Sequence, residues 1–313
     1  MKKAILAQKV VASVLAIGLG GFVLPLAAQA NSGLKDEPQD VTGSNDFYYI
    51  GSNGAADNVV IIDSDLPYNN AGVIGGYTAT DDVVNNRVTV SGGTVTGRVF
   101  GGETNGKGNA TDNSVTISGG TVKENIYGGG TTFGNAEKNE VNISGGIVTG
   151  EVKGGDGEYA EKNEVNISGG MVTGEVKGGD GKYAKKNEVN ISGGMVIGDV
   201  KGGYTIHGEA TGNSIILSGT ADVSQANLYG GDFAYGSASD NKLIINGWSG
   251  TVKSLNNFNG AEGGIEVQAL GGREYKVGDE ITVITASRRN KEYFHGYNAG
   301  CSHRSSINSN WHY

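Results

Sequence analysis

"NEVNISGGMVTGEVKGGDG" occupies residues 163–181, and near-copies begin 24 residues to either side, "NEVNISGGIVTGEVKGGDG" at 139–157 and "NEVNISGGMVIGDVKGG" at 187–203. Within the stretch Val165 and Ile167 share one face while Asn166 and Ser168 take the other, a period of two that marks a strand. Gly169-Gly170 interrupts it. Alternation resumes with Val172, Gly174 and Val176 inward and Thr173, Glu175 and Lys177 outward, until Gly178-Gly179 and a polar stretch lead to the next copy. Each unit therefore reads as strand, Gly-Gly corner, strand, Gly-Gly corner and polar loop, glycine suiting corners because it enters positive φ without a Cβ clash.

The motif Asn-x-Val-x-Ile, with other aliphatics allowed, recurs at Asn58, Asn86, Asn113, Asn139, Asn163, Asn187, Asn213 and Asn241, in steps of 28, 27, 26, 24, 24, 26 and 28 residues. One such unit has a narrow apolar face that it cannot bury alone; stacked on its neighbours it makes a continuous core. The repeat predicts an all-β, parallel β-solenoid of about seven to eight rungs of 24–28 residues, right-handed by analogy with parallel crossovers. Like residues sit above one another, and the eight asparagines form a structural ladder in which amides bond to their equivalents above and below. A propeller blade needs four strands and about 40 residues, and a sandwich gains nothing from repetition.

Composition agrees. The chain of 313 residues contains 56 Gly and only 3 Pro, against a usual glycine share of about 7%, and it lacks the G-X-Y period of collagen. A single cysteine, Cys301, excludes a disulfide scaffold. Residues 1–30, with Lys2, Lys3 and Lys9 before an apolar run and an "AQA" ending at Ala30, read as a cleaved signal peptide, leaving no membrane span in the mature chain. Removing it takes the formal charge from −9 to −12, which argues against nucleic acid as a partner. Residues 31–57 read as a flexible lead and N-terminal cap, 58–247 as the solenoid and 248–286 as closing strands, with Trp248 and Phe258 covering the last rung. In 287–313 the vocabulary changes. Three of four histidines, the cysteine and three of six arginines fall there, so the tail reads as a disordered, out-of-frame end beginning after Ala286.

Reactive constellations are weak. "GGETNGKG" at 101–108 has G-x-x-x-x-G-K but places Gly108 where a phosphate loop needs Ser or Thr, and it sits between strands. Asp156 and Asp180 in "GGDG" stack as a weak cation candidate without the calcium nonapeptide's spacing. Glu151, Glu175 and Asp199 form an acidic ladder beside a basic ladder of Lys153, Lys177 and Lys201, and lysine neighbours favour the charged carboxylate over the protonated one that glycoside cleavage requires. No catalytic, cofactor or metal residues are assigned. Ile147, Met171, Met195 and Ile197 form an apolar outer stripe, a candidate contact surface.

At "NSVTISGGTVKENIYGGG" and its copies, with the leader and the "NGWSGTVKSLNNF" closure, the chain resembles the passenger region of bacterial autotransporter adhesins over roughly 58–286. The resemblance implies Sec-type export, a solenoid passenger and passage through a C-terminal β-barrel, whose amphipathic strands do not follow residue 286 here. The expected function is a surface adhesion or interaction scaffold for host glycans or matrix and cell-surface proteins, without catalysis and with no cofactor. The alternatives are a polysaccharide-active enzyme on the same fold and a purely structural spacer. The expected location is the cell surface or medium, or the periplasm if the chain is truncated before its barrel.

Overall fold

Valine and isoleucine at every second position give each rung a strand that is apolar on one side only, and the computed structural model shows where those sides meet. The structure describes residues 32–34, 39–40, 47–52, 54–66, 71–269 and 284–289; residues 1–31, read above as mostly signal peptide, and most of 287–313 lie outside them. Among the described residues every regular element is a strand, and nearly all pairing is parallel. We define rungs 1–8 as beginning at the eight motif asparagines.

Three sheets make up the solenoid, two along its length and one across rungs 2–6. The first has nine strands and stacks the Asn-x-Val-x-Ile segments, from Val59–Ile62 to Gly264–Ala269. Its register is strict, Val165 pairing with Val141 and Val189, and Ile167 with Ile143 and Ile191. The second has five two-residue strands, including Ile147–Val148, Met171–Val172 and Met195–Val196. The third has sixteen, among them the long strands that contain each second glycine pair, such as Val152–Glu161 and Val176–Lys185. Inward columns from the three sheets meet in one core, where Val165, Ile167, Val172 and Val176 are all buried. A fully buried Val or Ile contributes about 1.5–3 kcal/mol, and each rung repeats that set.

The two glycine pairs do different jobs. After the first strand the second glycine adopts the left-handed conformation, as at Gly170 with φ +73° and Gly194 with φ +72°, and the chain turns. The second pair is not a corner. The strands Val152–Glu161 and Val176–Lys185 pass straight through Gly154-Gly155 and Gly178-Gly179. These positions are glycine because a Cβ on Gly155 would lie 2.5 Å from the amide of Asn163. The polar loop folds back as a side lobe and presses the ladder asparagine against this strand.

The loop is itself ordered around small residues. Ala110, Ala136, Ala160, Ala184 and Ala210 are fully buried three positions before the ladder asparagine. Between alanine and asparagine the chain makes a left-handed turn, at Asp112, Lys138, Lys162, Lys186 and Gly212 in successive rungs. That conformation costs an L-residue other than Gly, Asn or Asp roughly 1–2 kcal/mol.

At the N-terminal end Gln39–Asp40 pairs antiparallel with Phe47–Ile50, and Ser32 and Leu34 bridge antiparallel to Ile61 and Gly51. This reversal covers the first rung's edge. At the other end Trp248 and Phe258 are buried, the indole N–H donating to the Ala221 carbonyl at 2.9 Å. They do not close the stack, because Gly264–Ala269 and Ile284–Arg289 add a further rung on Lys242–Asn246 and Gly250–Asn256. The last of these strands runs past Ala286, Leu255 pairing with Arg289; residues 290–313 lie outside the described residues.

Because Lys186 holds the left-handed turn that Gly212 holds one rung later, Lys186→Gly relieves backbone strain at the cost of one weak surface ion pair. The expected gain is about 0.5–1 kcal/mol, seen as a rise of roughly 1–3 °C in melting temperature. A fall would mean that the lysine side chain contributes more than its backbone costs.

Candidate functional site

The side lobe places the eight asparagines in one buried column. Asn163 Nδ2 donates to Asn187 Oδ1 at 3.0 Å and to the Ala136 carbonyl at 2.9 Å. Its Oδ1 accepts from the backbone N–H of Asn139 at 2.9 Å and from Asn139 Nδ2 at 3.0 Å. Both protons and both lone pairs are thus used, as burial demands. The same bonds recur from Asn58, which donates to Asn86 at 2.7 Å, to Asn213, which donates to Asn241 at 3.0 Å. Asn86–Asn113, Asn113–Asn139 and Asn187–Asn213 fill the interval. A second, half-buried amide column lies on the outer face, where Asn190 donates to Asn166 at 2.9 Å and Asn166 to Asn142 at 3.1 Å.

The charged ladders lie on the outside of the third sheet but are not simply solvated. Lys153, Lys177 and Lys201 are buried, between 5% and 9% exposed. Each ammonium sits between carboxylates of two rungs. Lys153 Nζ lies 2.8 Å from both Asp156 and Asp180. Lys177 lies 3.4 Å from Glu151, 3.3 Å from Glu175 and 3.3 Å from Asp180. Lys201 lies 3.1 Å from Glu175 and 3.0 Å from Asp232. Tyrosines cover the column, Tyr127 near Lys153 and Tyr204 over both Lys177 and Lys201, in cation–π geometry. The place between Asp156 and Asp180 that the sequence offers to a cation is filled by the protein's own lysine. No group of three or more metal-ligating side chains occurs among the described residues.

Electrostatics follow from this packing. Burial opposes the charge on Lys153 and Lys201, but the carboxylates around them, Asp156 and Asp180 for the first and Asp232 and Glu175 for the second, outweigh it and raise both above the ordinary lysine value. Burial also opposes the charge on Glu175, yet Lys201 and Lys177 carry its carboxyl below the usual range. Asp156 goes the other way: burial lifts it against the pull of Lys153, and Asp180 adds to the rise.

The apolar stripe is real as a column and modest as a surface. Ile147, Met171 and Met195 are direct neighbours in the five-stranded sheet. Ile147 is exposed, whereas Met171, Met195 and Ile197 are half-buried. Ile197 belongs to the adjacent column, its N–H bonding to Val172 as that of Thr173 does to Val148.

A more open apolar edge arises from the loops, whose polar composition conceals it. Phe133, Tyr159, Ile206, Phe233 and Tyr235 all stand exposed at the crest of the side lobe. The signal in the sequence is one or two large apolar or aromatic residues per loop, within five positions before the small residue of the side lobe, in "FGNA", "EYAE", "KYAK", "IHGE" and "FAYG".

Neither a family model, nor a curated protein, nor a solved structure matches the chain.

Asn163→Leu removes four buried hydrogen bonds, those from the N–H and Nδ2 of Asn139 and those to the Ala136 carbonyl and Asn187 Oδ1, and leaves the Asn139 N–H unpartnered, at about 0.5–1.5 kcal/mol per bond and about 1–3 kcal/mol for the stranded donor. The expected loss is at least about 3 kcal/mol in chemical denaturation, against about 1 kcal/mol or less for Asn166→Leu on the outer column. Equal losses would mean that the inner column is not the stronger constraint.

The lowered Glu175 carboxyl contributes stability above the ordinary glutamate value, and that contribution disappears as pH falls through its folded value. Glu175→Gln is expected to lower the melting temperature at pH 7, and the difference from the parent chain is expected to vanish once acid protonates the Glu175 carboxyl. Solvent screens this partly exposed side chain, so the effect at neutral pH is roughly 1 kcal/mol. Raised Lys201 acts in the opposite window, stabilising below the ordinary lysine value and failing only in stronger alkali. A mutant difference that persists unchanged into acid would remove the ion pairs as its cause.

Proposed function

We propose that the chain is an exported, non-enzymatic passenger of the autotransporter type, acting as an adhesion or interaction scaffold at the cell surface or in the medium. The observation that carries this reading is the fate of the outward acids. Glu151, Glu175, Asp156 and Asp180 all lie within salt-bridge distance of lysine ammoniums, where they stabilise the stack. What remains open to a partner is a long, repetitive outer surface with an apolar column and an aromatic loop edge. Such a solenoid offers many equivalent contacts at fixed spacing, which suits avidity-based attachment to host glycans or to matrix and cell-surface proteins.

One observation favours a second reading, a polysaccharide-active enzyme. Asp156 is raised and Glu175 lowered, the opposed pair that acid–base chemistry uses. The two readings separate in one screen. The full chain is incubated with pectin, alginate and host-type glycans, then tested for retention on glycan and matrix-protein arrays. Retention without turnover is the expected result. Turnover abolished by Glu175→Gln or Asp156→Asn would replace the scaffold with an enzyme, and absence of both retention and turnover would leave a spacer.

A further inference from the structure

Five of the seven large apolar side chains exposed among the described residues gather on one edge, the loop crest. Single exposed apolar residues are ordinary on a protein surface, but their collection on one edge marks a contact site. The crest is also uneven. Five residues separate Gly129 from Asn135 in rung 3 and Gly203 from Glu209 in rung 6. Between the register-equivalent Gly155 and Tyr159, and Gly179 and Tyr183, only three intervene. Rungs 3 and 6 use the extra residues for a turn closed by a threonine hydroxyl, which accepts from Gly134 N–H at 3.0 Å and Gly208 N–H at 2.9 Å. Rungs 4 and 5 run through as unbroken ten-residue strands. The crest therefore dips for two rungs, about 10 Å along the axis, between a shoulder bearing Phe133 and one bearing Ile206 and His207. In the dip Tyr159 and Tyr183 stack with ring centroids 4.7 Å apart, and beyond the far shoulder His207 stacks on Tyr235 at 5.4 Å.

We infer that this dip, with the Tyr159–Tyr183 pair between the shoulders of Phe133 and Ile206, is a binding saddle for a neutral polysaccharide chain running along the solenoid axis. This rests on the adhesion reading and narrows it. The apolar groups are too few and too interrupted for the roughly 800 Å² per partner that a stable protein interface buries. They suit a sugar, whose ring has an apolar face for aromatic side chains and a rim of hydroxyls for polar ones. The charges beside the saddle are matched, Lys182 with Glu158 at 3.8 Å and Lys185 with Glu209 at 3.3 Å. They offer donors and acceptors to hydroxyls without demanding a charged ligand. A polymer of repeating units can then engage successive rungs of a repeating protein, and many weak contacts sum to firm attachment.

Affinity electrophoresis of the full chain tests this, in gels containing dextran, galactomannan or laminarin, with alginate as the acidic control. Retardation by at least one neutral polysaccharide is expected, weakened tenfold or more by Tyr159→Ala and by Phe133→Ser with Ile206→Ser, and unchanged by Met171→Glu. The exposed shoulder variants stand in if Tyr159→Ala melts early. Retardation that survives both crest variants, or that is lost in Met171→Glu instead, overturns the saddle while leaving the scaffold intact. Retardation by alginate alone, or crest-dependent capture of a matrix protein without any sugar, overturns the ligand class. Failure to retain sugars, matrix proteins or cells removes the saddle and the scaffold reading together.

Discussion

A buried primary amide has four hydrogen-bonding sites and tolerates none left empty. In this solenoid that demand is met only by the same residue one rung away, together with a loop carbonyl and a backbone N–H, so each asparagine fixes the position of the next. The rest of the cross-section follows. The strand opposite must lack a Cβ where the amide lies, hence the second glycine pair. The loop of the neighbouring rung must bring its carbonyl to the amide, hence the small buried residue there, Ala136 for Asn163 and Ala160 for Asn187. The chain must reverse sharply just before the asparagine, hence a left-handed residue even where the sequence supplies lysine.

In-register stacking places every residue above its own kind, which suits valine and asparagine and punishes charge. The third sheet resolves this by offset. Lysine columns lie between acid columns, and Lys177 reaches Glu151 on the preceding rung as well as Glu175 on its own. Attraction therefore runs between rungs, along the direction in which like charges would repel. Desolvation makes such buried pairs poor sources of net stability but costly to break. Their effect is to let like charges recur on successive rungs without facing one another unpaired.

Much of this was legible beforehand. Period-two alternation around Val165 and Ile167 gives the strand and its inward face, and the recurrence of Asn163 at 24 residues gives the stack. The meaning of Gly178-Gly179 was not, because a glycine that avoids a distant side chain looks the same in sequence as one that turns the chain. Nor was the burial of Lys177, since its shelter comes from Tyr204 and Glu151, which are near only once rungs are stacked. The side lobe hid its alanine column behind polar neighbours, although the spacing from Ala160 to Asn163 repeats as faithfully as the strand does. The aromatic crest was obscured for the same reason, each loop contributing only one or two large side chains among polar neighbours.

Rungs 4 and 5 share not only a fold but nearly a wording, and their boundaries coincide with a whole structural turn. A gene with such tandem text is prone to slip during copying, and a slip of one unit here removes or adds 24 residues that begin and end at the same point of the cross-section. Neighbours brought together by such an event find the amides, valines and lysines they had before. Length thus becomes a heritable variable separable from fold, and the two short rungs that lower the loop crest are the ones most easily multiplied. A lineage can widen or close that depression by counting, without inventing a single new contact.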